Sequence, residues 1–180
     1  TFSNSLTVLG TGTTVKSGIG AMNFGVTAGT NAIKLATLSI TGGTVSLNNN
    51  EQFQDTMNMT NSGGQMNFNA KTETLASYNQ TTTTANPTSL NTGLITGIGG
   101  SVTFTGALKV SGNGYTTSAI TISSSSSLSA ASVDLTGATG VAVLIGGVGT
   151  VSVSQLNIGS GGLTMNGQTI NMSRAAAGQF

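Results

Sequence analysis

The sequence predicts an all-β chain, and three observations carry that prediction. Apolar residues recur in pairs two apart, the period of a strand with one buried face. Gly, Ser, Thr and Asn fill the stretches between pairs; these are turn and extended-chain residues, not helix formers. Successive pairs also follow one another so closely that no helix fits between them.

The pairs are taken in chain order. Leu6/Val8 opens the series inside residues 1–16 (TFSNSLTVLGTGTTVK), where Leu6, Val8, Gly10, Gly12 and Thr14 alternate onto one face. Met22/Phe24, Ile33/Leu35, Leu38/Ile40 and Val45/Leu47 follow. Residues 48–60 (NNNEQFQDTMNMT) break the rhythm; they have room for a helical turn, but their Asn and Thr content argues for an irregular insert. Met57/Met59 and Met66/Phe68 close the first half. Residues 79–91 (NQTTTTANPTSLN), polar and holding the only proline, Pro87, read as a linker. The chain is therefore a single all-β domain over 1–180, with a subdivision into 1–78 and 92–180 as the alternative. The second half carries Val102/Phe104, Leu108/Val110, Ile120/Ile122, Val133/Leu135, Val141/Val143, Val151/Val153, Leu156/Ile158, Leu163/Met165 and Ile170/Met172. Between them, Ser123 to Ser127 read as an exposed polar strand or loop. The tail 174–180 (RAAAGQF) is expected to form one turn or to extend into a partner.

Composition narrows the class. A length of 180 residues fits one domain or one stretch of a repetitive fold. With 37% hydrophobic and 4% aromatic residues, a compact core built on large aromatic side chains is not expected; the apolar residues are Val, Ile, Leu and Met in short regular clusters. Disorder is not expected: disordered chains combine low hydropathy with charge and proline, whereas here 5% of residues are charged and one is Pro, at a mean hydropathy of +0.18.

The chemistry-bearing residues are scarce. There is no His, Cys or Trp, and five Lys or Arg stand beside four Asp or Glu. Proton transfer, nucleophilic attack and metal binding draw mostly on the missing types, so no enzyme, cofactor or metal site is expected. The glycine clusters around Gly10, Gly18, Gly97 and Gly146 complete neither G-x-G-x-x-G nor a P-loop, and read as turns. Glu51 and Asp55, near Asn48, Asn49, Asn50 and Gln52, form the one conceivable oxygen-rich ion site, without the Asp-x-Asp-x-Asp-Gly pattern. As a glycosidase pair they lack an aromatic groove, since the chain has only Tyr78 and Tyr115 beside its phenylalanines. Lys109 and Asp134 sit amid neutral strands; a solvated position for each is the default expectation, and pairing across neighbouring rungs or across a subunit interface is the alternative. Sequons at Asn58, Asn79 and Asn171 are no more than chance supplies. Thr, Ser and Asn lack a regular Thr-x-Thr spacing, so an ice-binding face is not expected.

A net charge of +1 drives binding to neither nucleic acid nor an anionic membrane, and it permits self-association. Residues 1–20 hold no signal-peptide pattern, and the absence of an initiator Met points to a processed chain or an excised fragment. No apolar stretch reaches membrane length; residues 141–153 come nearest and are broken by Gly146, Gly147 and Gly149.

A loose repeat runs through the chain. LSITGGTVSLNNN (38–50), SVTFTGALKVSGNG (101–114) and LNIGSGGLTMNGQTINM (156–172) share an apolar pair, a Gly-containing turn and a second apolar pair. Units of this kind complete one another's core by stacking. This grammar resembles the β-solenoid regions of bacterial surface proteins, the autotransporter passengers and the filamentous haemagglutinin-like adhesins. The resemblance implies a right-handed parallel β-helix outside the cell, serving adhesion or as a stalk.

The same strands also fit an antiparallel β-sandwich or jelly roll of pilin type, completed by a neighbour's donated N-terminal strand. Either way the expected function is a non-enzymatic structural subunit of an extracellular, pilus-like filament, a homopolymer held by β-strand contacts. The alternatives are a segment of a cell-surface adhesin that binds a host or a glycan, and a phage or viral fibre. If a strand is donated, Leu6, Val8 and Val15 are the expected assembly anchors.

Overall fold

The computed structural model of the chain describes residues 2–3, 8–26, 31–82, 94–97, 99–115, 120–122, 125–140, 143–145, 150–157, 163–165 and 169–172. Among these residues there are strands and no helix. In chain order they are β1 (Phe2–Ser3), β2 (Val8–Lys16), β3 (Ala21–Gly25), β4 (Ile33–Ile40), β5 (Thr44–Leu47), β6 (Asn58–Asn61), β7 (Gln65–Asn67), β8 (Thr72–Leu75) and β9 (Ser77–Thr82). They continue as β10 (Leu94–Ile95), β11 (Ser101–Tyr115), β12 (Ile120–Ile122), β13 (Ser127–Gly140), β14 (Val143–Ile145), β15 (Thr150–Asn157), β16 (Leu163–Met165) and β17 (Thr169–Met172).

The strands form two sheets, and every described pairing is parallel. One is 8-stranded, in the order β1-β3-β5-β7-β10-β12-β14-β16. The other is 9-stranded, in the order β17-β15-β13-β11-β9-β6-β4-β2, with β8 pairing β11 alongside β9. The chain thus passes back and forth between the sheets and adds its strands in sequence. The ladders cross from residues 1–78 to residues 92–180, through β7 on β10 and β9 on β11. Of the expected linker, Asn79 to Thr82 belong to β9, and residues 83–93 lie outside the described residues.

Most of the expected apolar pairs sit on these strands, although Met57 precedes β6 and Phe68 follows β7, and Leu6, Val141 and Ile158 lie outside the described residues. Pairs that looked separate merge into one bent strand: Ile33/Leu35 with Leu38/Ile40 in β4, and Val102/Phe104 with Leu108/Val110 in β11. The bend in β11 is a register shift between Phe104 and Ala107, where Gly106 N donates to Ala76 O at 2.8 Å. Of the pair Val141/Val143, Val143 opens the strand Val143–Ile145.

Alternation along each strand becomes columns across strands. Leu38, Met59, Tyr78, Leu108, Val133 and Leu156 stand in register through the larger sheet. Met22, Val45, Met66, Leu94, Ile120, Val143 and Leu163 do the same through the smaller. Side chains from both sheets meet in one core that includes Phe24, Val45, Leu38, Met59, Phe104 and Val133. Phe24 and Phe104 stand in register within their ladders, whereas Phe53 and Phe68 lie beside strands. Phe53, from the irregular segment after β5, meets Phe24 edge-on at 5.0 Å.

Corners are made by glycine. Gly43 has φ +68, and a Cβ there would collide with the carbonyls of Gly18 and Gly20 and with the Lys16 ammonium. Gly97, at φ +77, meets Ala70 in the same way. The serine run splits: Ser125 is an exposed turn residue with φ +57, Ser126 is buried, and Ser127 opens β13.

Candidate functional site

The free edge at β2 is the first candidate surface. Among the described residues β2 ends the larger sheet and pairs on one side only, with β4. Half of the N–H and C=O groups of a parallel strand point away from its partner, so the outer side of β2 has no strand partner among the described residues. Its sequence, VLGTGTTVK, has no proline and no charge before Lys16, and its one edge irregularity is the register shift between Gly10 and Thr13.

Lys16 itself does not guard the edge. It is only 7% exposed, and its Nζ donates to Ser17 O at 2.8 Å, Gly18 O at 3.0 Å and Gly42 O at 3.0 Å. Register places it on Ile40, at the open end of the inward column Ile40, Asn61, Gln80, Val110. The ammonium's three donors are satisfied by the glycine corner, and a long aliphatic stem occupies the end of the core. The strand edge beyond it stays neutral. Val15, 56% exposed, and Ile19, fully exposed at 101%, are the large apolar residues left in solvent there.

The expected anchors fall as follows. Leu6 lies outside the described residues. Val8 stands opposite Ile33, and Val15 opposite Ser39. A register shift between Gly10 and Thr13 separates them, so the face shared by residues 6–14 in a simple alternation is interrupted at Gly12. Ile19 is not among the expected anchors; nothing in an isolated Ile between two glycines distinguishes a corner that faces solvent from one that faces the core.

The second candidate surface is a hydroxyl-bearing face. In β8, β11, β13, β15 and β17 the central residues Glu73, Val102, Leu128, Val151 and Ile170 are in register. Their flanking residues stand in two columns by register, Thr72, Ser101, Ser127, Thr150, Thr169 and Thr74, Thr103, Ser129, Ser152, Asn171; Thr72 is exposed, and Ser101, Thr74, Thr103, Ser127, Ser129 and Ser152 are half-buried. Neighbours within a column lie about 4.8 Å apart, the strand spacing. Ser127 Oγ donates to Ser101 Oγ at 2.8 Å. The spacing of these triplets shrinks along the chain, so no fixed sequence period reveals them; centring each on its apolar residue would have.

The acidic residues do not converge on an ion. Among the described residues no group of three His, Cys, Asp or Glu side chains is arranged to hold a metal. Glu51 accepts from Thr74 Oγ1 at 3.4 Å, with burial raising its carboxyl above the usual range and Thr74 opposing that rise. Asp55 is exposed. Glu73 is fully buried, its Oε2 accepting from Gln52 N at 2.8 Å and its Oε1 from Phe53 N at 3.1 Å. Lys109 and Asp134 are adjacent in register, with Nζ and Oδ2 4.0 Å apart. The Thr136 hydroxyl and N–H hold the Asp134 carboxyl below its ordinary value, and Lys109 adds less. No helix among the described residues is long and apolar enough to cross a membrane.

No protein-family model, curated protein or solved structure matches the chain.

Proposed function

We propose that this chain is a β-solenoid and a non-enzymatic structural subunit of an extracellular filament, joined end to end through its strand edges. Parallel pairing throughout and strands added to two sheets in chain order support the solenoid reading over a pilin-type sandwich, whose neighbours pair antiparallel. The observation that carries the assembly reading is the open, uncharged edge of β2, with Val15 and Ile19 exposed beside it. A second copy laid along that edge continues the backbone ladder and covers both side chains. The low net charge lets copies approach closely.

The test is electron microscopy of the protein at micromolar concentration, with and without the paired substitutions Val15→Asp and Ile19→Asp. Filaments from the parent and dispersed particles from the variant, at equal far-UV circular dichroism, are the expected result. Dispersed particles from both would overturn the assembly reading, and a detergent-resistant trimer would redirect it to a viral or phage fibre.

A second reading, a segment of a surface adhesin that binds glycans, is favoured by the hydroxyl columns around Thr74, Thr103 and Ser129. These offer a neutral hydrogen-bonding surface matched to sugar hydroxyls. Glycan-array binding lost on Thr103→Lys would favour it; an array with no binding by the parent would remove it.

A further inference from the structure

We propose that residues 51–55 form a pH-sensitive latch, held closed while the Glu73 carboxyl is protonated and loosened when it ionises. The inference stands apart from the assembly reading.

The latch is a place where side chains replace a strand. Residues 51–55 make no ladder; a single bridge joins Phe53 to Ile33. On the β4 side they are held by the backbone, with Ile33 N donating to Gln52 O at 2.9 Å and Gln54 N to Ile33 O at 3.1 Å. On the β8 side, Glu51 N donates to Thr72 O at 2.8 Å, and the next two N–H groups end on the Glu73 carboxyl. The Gln52 amide also clasps Val26, accepting from its N–H at 2.6 Å and donating to its carbonyl at 3.1 Å. Opening this segment withdraws Phe53 from Phe24 and releases Val26 together.

Glu73 occupies an inward position whose register neighbour is Val102, itself fully buried. Its surroundings offer no compensating charge. The latch brings Glu51 and Asp55; β11 brings the uncharged Ser101 and Thr103 on either side of Val102. The lysines nearest in sequence to the joined segments are the exposed Lys34 on β4 and the half-buried Lys71 ahead of β8. The one ion pair among the described residues is Lys109 with Asp134, so no cation is paired with Glu73. Burial therefore pushes its carboxyl up to about 8, against the two backbone hydrogen bonds, and Glu51 and Asp55 add repulsion. Ionisation then falls within the mildly alkaline range and puts a third negative charge beside two others, inside an apolar column.

The experiment is site-resolved amide hydrogen exchange at Gln52 and Phe53 between pH 6 and pH 9, corrected for intrinsic exchange, in the parent and in Glu73→Gln. In the parent, opening should rise by up to about tenfold per pH unit below the midpoint and level off above it, because the opened segment frees the carboxyl to ionise as it would in water. The variant should show a flat profile. Equal pH dependence in both would overturn the latch. If Glu73→Gln does not fold, the carbon-13 titration of the Glu73 carboxyl in the parent decides: a midpoint near 8 supports the latch, and one in the ordinary carboxylate range ends it.

Discussion

The interior of residues 48–82 and the interior of residues 101–136 follow the same register and fill it differently. In the later region the inward positions are aliphatic or aromatic: Val102, Phe104, Leu108, Val110, Leu128, Val133 and Leu135 are all buried. In the earlier region the matching columns carry Glu73, Asn61 and Gln80, buried just as deeply. There Asn61 Nδ2 donates to Tyr78 OH at 3.0 Å, Tyr78 OH to Gln80 Oε1 at 2.8 Å, and Gly64 N to Asn61 Oδ1 at 2.9 Å. The difference follows the backbone. Where β11 and β13 run long, their ladder is interrupted only by register shifts and the inward side chains are apolar. Where residues 48–57 break the ladder, the Gln52 amide and the Glu73 carboxyl take the place of missing backbone partners, whereas Asn61, Tyr78 and Gln80 bond chiefly to one another within paired strands.

That contrast can be broken, most severely at Phe53. Phe53→Ala empties a fully buried site in the interrupted region and should lower unfolding free energy by about 3–5 kcal/mol, read from chemical denaturation. Glu73→Ala comes next. It strands the N–H groups of Gln52 and Phe53, at about 1–3 kcal/mol each, and the same denaturation series checks it. A loss no larger than for the outward Ser129→Ala would mean the carboxyl does not stand in for a strand.

The pH dependence sharpens the same comparison. Glu73 is raised from 4.5 to about 8 in the folded chain. Between those values the folded state binds the extra proton, so its contribution is complete below pH 4.5 and is lost as pH rises through about 8. Over that window stability falls no more steeply than about 1.4 kcal/mol for each pH unit. Denaturation midpoints should therefore fall from about pH 5 to about pH 9 in the parent and fall less in Glu73→Gln, which keeps only the smaller contribution of Glu51. Substitutions confined to the later region, such as Val133→Ala, should lower the midpoint without altering its slope against pH.

The smallest effect belongs to the outer face of the continuous region. Lys109→Ala removes a partly exposed partner at 4.0 Å. It should change stability by no more than about 1 kcal/mol, and by less at high salt. The Asp134 carboxyl keeps its bonds to Thr136 N at 3.0 Å and Oγ1 at 2.7 Å. A larger loss in the same assay would give this pair a structural role that its exposure argues against.

The legibility of the chain follows the same division. Val102/Phe104 and Leu108/Val110 were readable because their inward residues are apolar. Glu73/Leu75 and Tyr78/Gln80 were not, because a polar inward residue looks like an outward one. The segment after β5 was readable as irregular, but not as the carrier of Phe53 into the core. The exposed edge residue Val15 was among the expected anchors, whereas Ile19 and the hydroxyl columns came only from the register.

The sequence by itself determined that the chain is β and that Leu, Ile, Val and Met fill most of its interior. Alternation is a local property, fixed by the two-residue period of the extended backbone. Only the tertiary structure decided which strands are neighbours, that they pair in parallel, and that unevenly spaced Thr and Ser residues line up on one face. Those outcomes depend on how much chain each corner absorbs and on which buried side chain reaches which backbone group, and neither is written in any local pattern.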